Sequence, residues 1–291
     1  MDANSAVPNA MEPIPFRIET IKQELPDCFT LTLISPSESI ETIDAINNND
    51  TGAANFAPGQ FNMLYVFGHG EVPISMSGDP VHSQKLVHTI RNVGSVTAAL
   101  QKLKLGDTVG VRGPFGSTWP MKALKDQDVL LIAGGLGLAP LRPVLYRLLS
   151  NPDQCRSLSL LYGTRTPETI LFAEELTQWA KKIDVRLTVD AAGPGWLGHV
   201  GVITDLLQGR DILPASTTAL VCGPEIMMRF CAQALINQGL SPSQIYLAME
   251  RNMQCAIGLC GRCQYGPYFL CKDGPVFSFN QLEHLLKVRE V

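Results

Sequence analysis

The segment Asp128-Val-Leu-Leu-Ile-Ala-Gly134-Gly135-Leu-Gly137-Leu-Ala-Pro140 decides how this chain is read. A short apolar run enters a glycine-rich turn, and the residues from Leu138 to Leu149 then follow a helical pattern. Glycines at such a turn let backbone N–H groups approach a pyrophosphate, and the helix start adds partial positive charge. Pro140 is tolerated because its missing N–H would lack a helical partner there. The pattern is G-x-G-x-x-P and no acidic residue caps the next strand, so alone it fits a plain strand–helix turn as well as a dinucleotide site.

Working outward, the same alternation repeats downstream. Strands are expected at Leu158–Tyr162, Val185–Val189, Thr218–Cys222 and Ile245–Met249, and helices at Thr169–Lys181, Val202–Leu207 and Glu225–Asn237. Strands alternating with helices predict a parallel sheet covered on both faces, with ligands at the carboxyl ends of its strands. Two further groups fall at those ends. Thr164 and Arg165 end the second strand, where Arg165 is in reach of a ribose or phosphate. Cys222-Gly223-Pro224 ends the fourth, where Gly223 would let a flat ring lie on the backbone; Cys222 reads equally well as a small core residue.

Upstream the period changes to two. Phe16 to Ile21, Phe29 to Ile34, Gly59 to Phe67, Val72 to Ser77, Leu86 to Val93 and Thr108 to Gly116 read as six strands, with one short helix at Thr97–Leu103. This predicts a six-stranded antiparallel barrel. Ile40 to Ala57 reads as an exposed loop and residues 1 to 12 as a frayed end. Pro73-Ile74-Ser75 and Gly94-Ser95-Val96-Thr97 stand out: Ser75 for a hydrogen bond, the second group for free N–H groups at a helix start. Taken alone, ordinary strand residues and a helix cap are the better explanation of both. Trp119, Trp179 and Trp196 are expected at domain surfaces, and the histidines show no ligand spacing.

Near the C-terminus Cys255, Cys260, Cys263 and Cys271 follow a C-x4-C-x2-C-x7-C spacing. The first three match the plant-type [2Fe–2S] loop. A structural zinc usually takes paired C-x2-C knuckles, and only Cys260 and Cys263 are so spaced. Disulfides are the third option, but no secretory signal or secreted pattern accompanies the cysteines. The expected organisation is a barrel over 13–118, an α/β nucleotide domain over 119–248 and a cluster module over 249–291. The 291 residues carry a net charge of −4, which offers no basic footprint for nucleic acid. The longest apolar run, Val129 to Leu141, is too short and too broken to span a membrane. A soluble, reducing, cytoplasmic setting is the expectation.

With these motifs in order, the chain resembles the ferredoxin–NADP reductase superfamily. The cysteine-bearing end is similar to the electron-transfer subunits of dihydroorotate dehydrogenase B and to the gamma subunits of sulfhydrogenase-type nickel–iron hydrogenases. Gly70-Glu-Val-Pro-Ile-Ser75, Arg112-Gly-Pro-Phe-Gly116 and Glu250-Arg-Asn-Met253 resemble the hydrogenase branch most. The resemblance implies FAD along Pro73, Ile74 and Ser75, with Ser75 near the flavin N5 and its diphosphate at Gly94, Ser95, Val96 and Thr97. It implies the NADP or NAD pyrophosphate on Gly134, Gly135, Gly137 and Pro140, and the adenosine end near Thr164 and Arg165. The nicotinamide would lie beside Cys222, Gly223 and Pro224, making Ser75 and Cys222 the side chains nearest the chemistry. Cys255, Cys260, Cys263 and Cys271 would hold the cluster. One departure stands out: Val72 occupies the place of the superfamily's phosphate-binding Arg, and Arg91 is the candidate to replace it. The implied function is electron relay between NAD(P)H and a partner, an iron–sulfur subunit leading to a nickel–iron pair. The electron-transfer subunit of dihydroorotate dehydrogenase or an anaerobic sulfite reductase is a second reading. A zinc-stabilised nucleotide-binding interaction protein is a third.

Overall fold

The computed structural model describes residues 10–35, 56–82 and 85–288. The loop expected over 40–57 lies outside them up to residue 55, as do residues 1–9 of the expected frayed end. The N-terminal part contains β1 (Ile14–Leu25), β2 (Cys28–Ile34), β3 (Phe61–Val66), β4 (Gly70–Ser75), β5 (Lys85–Arg91), helix α1 (Ser95–Lys102) and β6 (Thr108–Phe115). They form a six-stranded antiparallel sheet in the order β4-β3-β6-β1-β2-β5. Met76, just past edge strand β4, bridges His88 of the opposite edge β5.

Period-two alternation sorts the side chains of this sheet. Leu64 and Val66 of β3 and Val109 and Val111 of β6 enter one core with Phe29, Leu31 and Leu33. Val72 and Ile74 pack against that core too. Phe61 and Met63, on the other face of β3, enter a different core, described below.

A polar network crosses the interior of this sheet. His88 is fully buried; its Nδ1–H donates to the Ser75 carbonyl at 3.0 Å, and its Nε2 accepts from Asn62 Nδ2 at 3.2 Å. Thr89 Oγ1 lies 3.0 Å from Thr30 Oγ1 and 2.9 Å from Ser77 Oγ. Burial pushes the His88 pKa down to about 4, so the ring is neutral.

The remainder holds β7 (Asp128–Gly134), α2 (Leu138–Ser150), β8 (Ser157–Thr164), α3 (Ala173–Trp179), β9 (Asp184–Val189), β10 (His199–Val200), β11 (Thr217–Cys222), α4 (Glu225–Asn237) and β12 (Ile245–Ala248). A small hairpin of β13 (Gln264–Tyr265) and β14 (Tyr268–Phe269), then β15 (Val276–Ser278) and α5 (Phe279–Leu282), complete it. A seven-stranded sheet runs β10-β9-β8-β7-β11-β12-β15. All its neighbours are parallel except β12 and β15. Along β7, Leu130 and Ile132 face a core with α4, while Val129, Leu131 and Ala133 face one with α2 and α3. That double burial explains the unbroken apolar run.

Three differences from the sequence reading have physical causes. Helix α3 starts at Ala173 rather than near Thr169, because the Thr169 hydroxyl bonds back to Thr166 and closes a separate turn first. Trp119 and Trp179 are buried in one core rather than at a surface, and the Trp119 Nε1–H donates to the Pro140 carbonyl at 3.2 Å. The cysteine-bearing segment also returns to the sheet, adding β15 beside β12. Among the described residues no helix is long and apolar enough to cross a membrane.

The buried His88 predicts an acid limb of stability. Its folded pKa lies below the unfolded value of 6.5, so the unfolded chain takes up the proton first. The contribution is complete above about pH 6.5 and is lost as pH falls toward 4, to a total of about 3 kcal/mol. Denaturant unfolding from pH 7 to 4 should show a shallower acid loss in His88→Asn than in wild type. Parallel curves would refute this account.

Candidate functional site

The parallel sheet changes winding direction between β7 and β11. From β7 the chain crosses to β8 and β9 on one side; from β11 it crosses to β12 on the other. A crevice therefore opens at the carboxyl ends of these two strands. Gly134, Gly135 and Gly137 fill the β7 side, where Gly135–Gly137 forms a single tight turn running into α2. Pro140 is the third residue of α2. Gly135 has φ of +53°, and its carbonyl accepts from the Tyr162 hydroxyl at 3.2 Å. Cys222, Gly223 and Pro224 fill the β11 side, with Pro224 capping α4. A Cβ on Gly137 would collide with the Cys222 carbonyl, so the two loops lie backbone against backbone. Thr164, buried, ends β8, the next strand along, and Arg165, exposed, follows it. The fold thus brings together the three groups that the sequence singled out at strand ends.

Cys222 is 1% exposed, and burial raises its thiol well above the usual range, with the charge of Glu250 adding to the effect. Glu250 follows β12, whose last residue Ala248 stands beside Cys222. Glu250 is exposed at one side, and desolvation by the protein packed around the rest of it raises its carboxyl. The sequence singled out Glu250 only as part of a motif; the pairing of β12 with β11 is what brings it beside Cys222.

On the antiparallel sheet, Pro73, Ile74 and Ser75 lie half-buried on edge strand β4. Pro73 pairs with Met63, and Ser75 with Phe61. Alternation turns Ile74 inward and leaves Pro73 and Ser75 on the opposite face, that of Phe61 and Met63. Gly94 and Ser95 are exposed at the start of α1. The Thr97 hydroxyl already accepts from the N–H groups of Val93 at 3.0 Å and Gly94 at 2.9 Å. The N–H groups of Ser95 and Val96, in the first turn, lack intrahelical acceptors. Arg91 ends β5 three residues earlier, with Nε 3.4 Å from an Asp27 carboxylate oxygen.

Cys255, Cys263 and Cys271 are buried and Cys260 is exposed. Gly258 N–H donates to Cys271 Sγ at 3.2 Å; Leu259 and Cys260 N–H donate to Cys255 Sγ at 3.3 and 3.4 Å. Gly258, with φ of +78°, supplies the curl that aims these groups inward. Burial raises the Cys255 thiol, but the N–H groups of Ile257, Cys260 and Leu259 outweigh it and bring the pKa down to about 6. Burial and the neighbouring Cys263 side chain push Cys271 up to about 12. The thiols stand as neighbouring pairs, and among the described residues no three metal-binding side chains close on one point. A loop whose backbone N–H groups converge on sulfur suits thiolates bound to iron, because those donors stabilise negative charge on the ligand atoms.

This loop is fastened to the end of β6. Ser117 N–H donates to the Gly274 carbonyl, and Ser117 Oγ bonds to the Val276 carbonyl at 2.9 Å and accepts from its N–H at 3.0 Å. Phe61 and Met63 share one core with Ala256, Cys263, Tyr265, Leu270 and Cys271.

Comparison with known proteins agrees with this geometry. Residues 131–233 match the oxidoreductase NAD-binding domain, and residues 250–283 match the iron–sulfur cluster binding domain of dihydroorotate dehydrogenase B. The second match favours iron–sulfur over zinc at the thiols. The chain is 35% identical over 264 residues to sulfhydrogenase 2 subunit gamma of Pyrococcus furiosus, covering 84% of this chain and 91% of that one. It is 37% identical over 227 residues to a probable dihydroorotate dehydrogenase B electron transfer subunit of the same organism, covering 78% and 81%. Among solved structures it is similar to one of an NADH-dependent reduced ferredoxin–NADP oxidoreductase, with TM-score 0.70, 25% identity and 94% coverage of both chains. It shares its fold with a ferredoxin–NADP reductase from Neisseria gonorrhoeae, with TM-score 0.65 and 20% identity, covering 80% of this chain and 96% of that one.

The backbone contact in the crevice yields a direct expectation. Gly137→Ala should force the β7 and β11 loops apart, weaken NAD(P)H binding at least tenfold and cost about 1–3 kcal/mol of stability. Nucleotide titration and thermal unfolding measure both, and an unchanged affinity would show that the crevice is not the nucleotide site.

Proposed function

This chain belongs to the family of oxidoreductase electron-transfer subunits that includes the sulfhydrogenase gamma and dihydroorotate dehydrogenase B electron-transfer subunits, and we propose that it relays electrons between NAD(P)H and a nickel–iron hydrogenase. It is an oxidoreductase subunit with FAD, an iron–sulfur cluster and NAD(P) as its redox groups. One observation supports the relay above the others: the sheet face bearing Pro73 and Ser75 and the thiolate loop share a single core. A relay needs that proximity, whereas a nucleotide-binding interaction protein does not.

In this reading the chain works as three units, a closed barrel over 13–118, a nucleotide domain over 119–248 and a cluster module over 249–291. Bound FAD supplies the exchange between paired electrons on the nicotinamide and single electrons on iron. The protein's part is placement. N–H groups at Gly134, Gly135 and Gly137 and the start of α2, with Pro140 setting its first turn, take the pyrophosphate. Thr164 and Arg165 take the adenosine end; Arg165 accommodates a 2′-phosphate, so NAD and NADP both fit. Gly223 and Pro224 let the nicotinamide lie flat beside Cys222, whose raised pKa keeps the thiol neutral there. Pro73, Ile74 and Ser75 carry the flavin ring, and Gly94, Ser95, Val96 and Thr97 its diphosphate, with Arg91 the nearest candidate cation. Cys255, Cys260, Cys263 and Cys271 hold a [2Fe–2S] cluster.

The chain's relatives are subunits of larger assemblies, so a hetero-oligomer is expected. An iron–sulfur subunit between this chain and the hydrogenase pair completes the proposed complex, in the cytoplasm. The match of residues 250–283 keeps the dihydroorotate dehydrogenase assembly as the second reading. Isolation of the native complex separates the two: a dihydroorotate-oxidising partner would replace the hydrogenase assignment.

Purified protein should show flavin absorption and about two irons per chain. Cys260→Ser should leave flavin reduction by NAD(P)H largely intact and abolish transfer to an external one-electron acceptor. Equal loss of both rates would contradict the order of carriers.

A further inference from the structure

Arg112 opens the Arg112-Gly-Pro-Phe-Gly116 motif. It lies on β6 and pairs with Met63 of β3, which pairs in turn with Pro73 of β4. The side chain is 2% exposed. Its Nε and Nη2 grip both carboxylate oxygens of Glu71 at 3.0 and 2.7 Å. Nη1 donates to the carbonyls of Ala10 at 2.8 Å and Cys255 at 3.1 Å, and Nη2 donates to the Gln254 carbonyl at 3.2 Å. A guanidinium has five N–H donors in a fixed plane, and each has an acceptor here. A lysine has three donors on a single point and no fork, so it could not span the same set. Glu71 precedes Pro73 by two residues on β4 and shares its face. One ion pair therefore joins the flavin-bearing strand, the strand β6 and the first cysteine of the thiolate loop.

We propose that Arg112 is a positioning residue that locks the Cys255 end of the thiolate loop onto the β4–β3–β6 face and, with Glu71 as counter-charge, sets the reduction potential of the cluster. The proposal rests on the iron–sulfur reading above. When the cluster takes up one electron, its negative charge rises by one. A fixed cation hydrogen-bonded to a ligand's own carbonyl favours that reduced form, and burial keeps salt from screening it. Glu71 is a fixed anion on the same site and opposes the effect. The two side chains therefore act on the potential with opposite signs, a signature that a purely structural clamp would not produce.

The test uses the full chain with flavin and iron in place, in wild type, Arg112→Gln, Arg112→Lys and Glu71→Gln. Iron and flavin are counted, and the cluster potential is read by a redox titration followed by paramagnetic resonance. Arg112→Gln should shift the potential downward and Glu71→Gln upward. Arg112→Lys keeps the charge but not the fork, so its potential should stay near wild type while a chelator strips its iron several-fold faster. Flavin content should be unchanged in all. Shifts of the same sign in the two charge-neutralising variants, or none, would overturn the proposal. If Arg112→Gln does not retain iron, the upward shift in Glu71→Gln still decides. Absence of a cluster in wild type would instead overturn the iron–sulfur reading itself.

Discussion

The register of three strands fixes how the redox elements sit against one another. Side chains on a strand alternate between faces, so a slip of one residue would exchange them all. On β3, Asn62, Leu64 and Val66 face the interior of the antiparallel sheet, and Phe61 and Met63 face out. Phe115 lies with its ring centroid 5.9 Å from that of Phe61, extending the outer row. The thiolate loop packs against this outer face through Cys263, Leu270 and Cys271. Were the register shifted, polar Asn62 would meet the loop and the apolar seam would turn inward. The polar network around His88 opposes such a slip, because Asn62 and the Ser75 carbonyl both need that ring as partner.

The parallel sheet imposes a different constraint. Its crevice exists because chain direction reverses between β7 and β11, and its walls are backbone because glycine occupies the contact points. Gly137 lies against the Cys222 carbonyl, and Gly223 lies against Gly134 and Met227. Side chains at either glycine would close the crevice. Cys222 fits the same logic. A buried thiol with a strongly raised pKa cannot serve as a base at neutral pH, so its contribution is that of a small neutral surface.

Much of this was legible in the sequence. The βα alternation, the strand-end motifs and the cysteine spacing all depend on local pattern, and the structure brings those strand-end groups to the same end of one sheet. What escaped was non-local. Arg112 gains its meaning from carbonyls at Gln254 and Cys255, and a backbone carbonyl leaves no mark in sequence. Glu250 meets Cys222 only through strand pairing. The strand β15 is three residues long, too short to show a period, and it forms because β12 offers a free edge. Trp119 packs into the core shared by β7 and α2, where a residue that looks superficial in a linker becomes one of the most buried.

The thiolate loop is closed on one side and open on the other, and that asymmetry follows from the same contacts. Arg112 fastens its start through Gln254 and Cys255, while Ser117 fastens its end through Gly274 and Val276. Both anchors belong to β6 or the turn after it, so the ends of the loop are pinned to the antiparallel sheet. The middle projects away: Leu259 is 78% exposed, and Cys260 is the one exposed thiol of the four. A carrier bound there would have its buried sulfurs toward the antiparallel sheet and one sulfur toward solvent. Because electron transfer weakens steeply with distance, the pinned side suits exchange within the chain and the projecting side suits exchange with a partner.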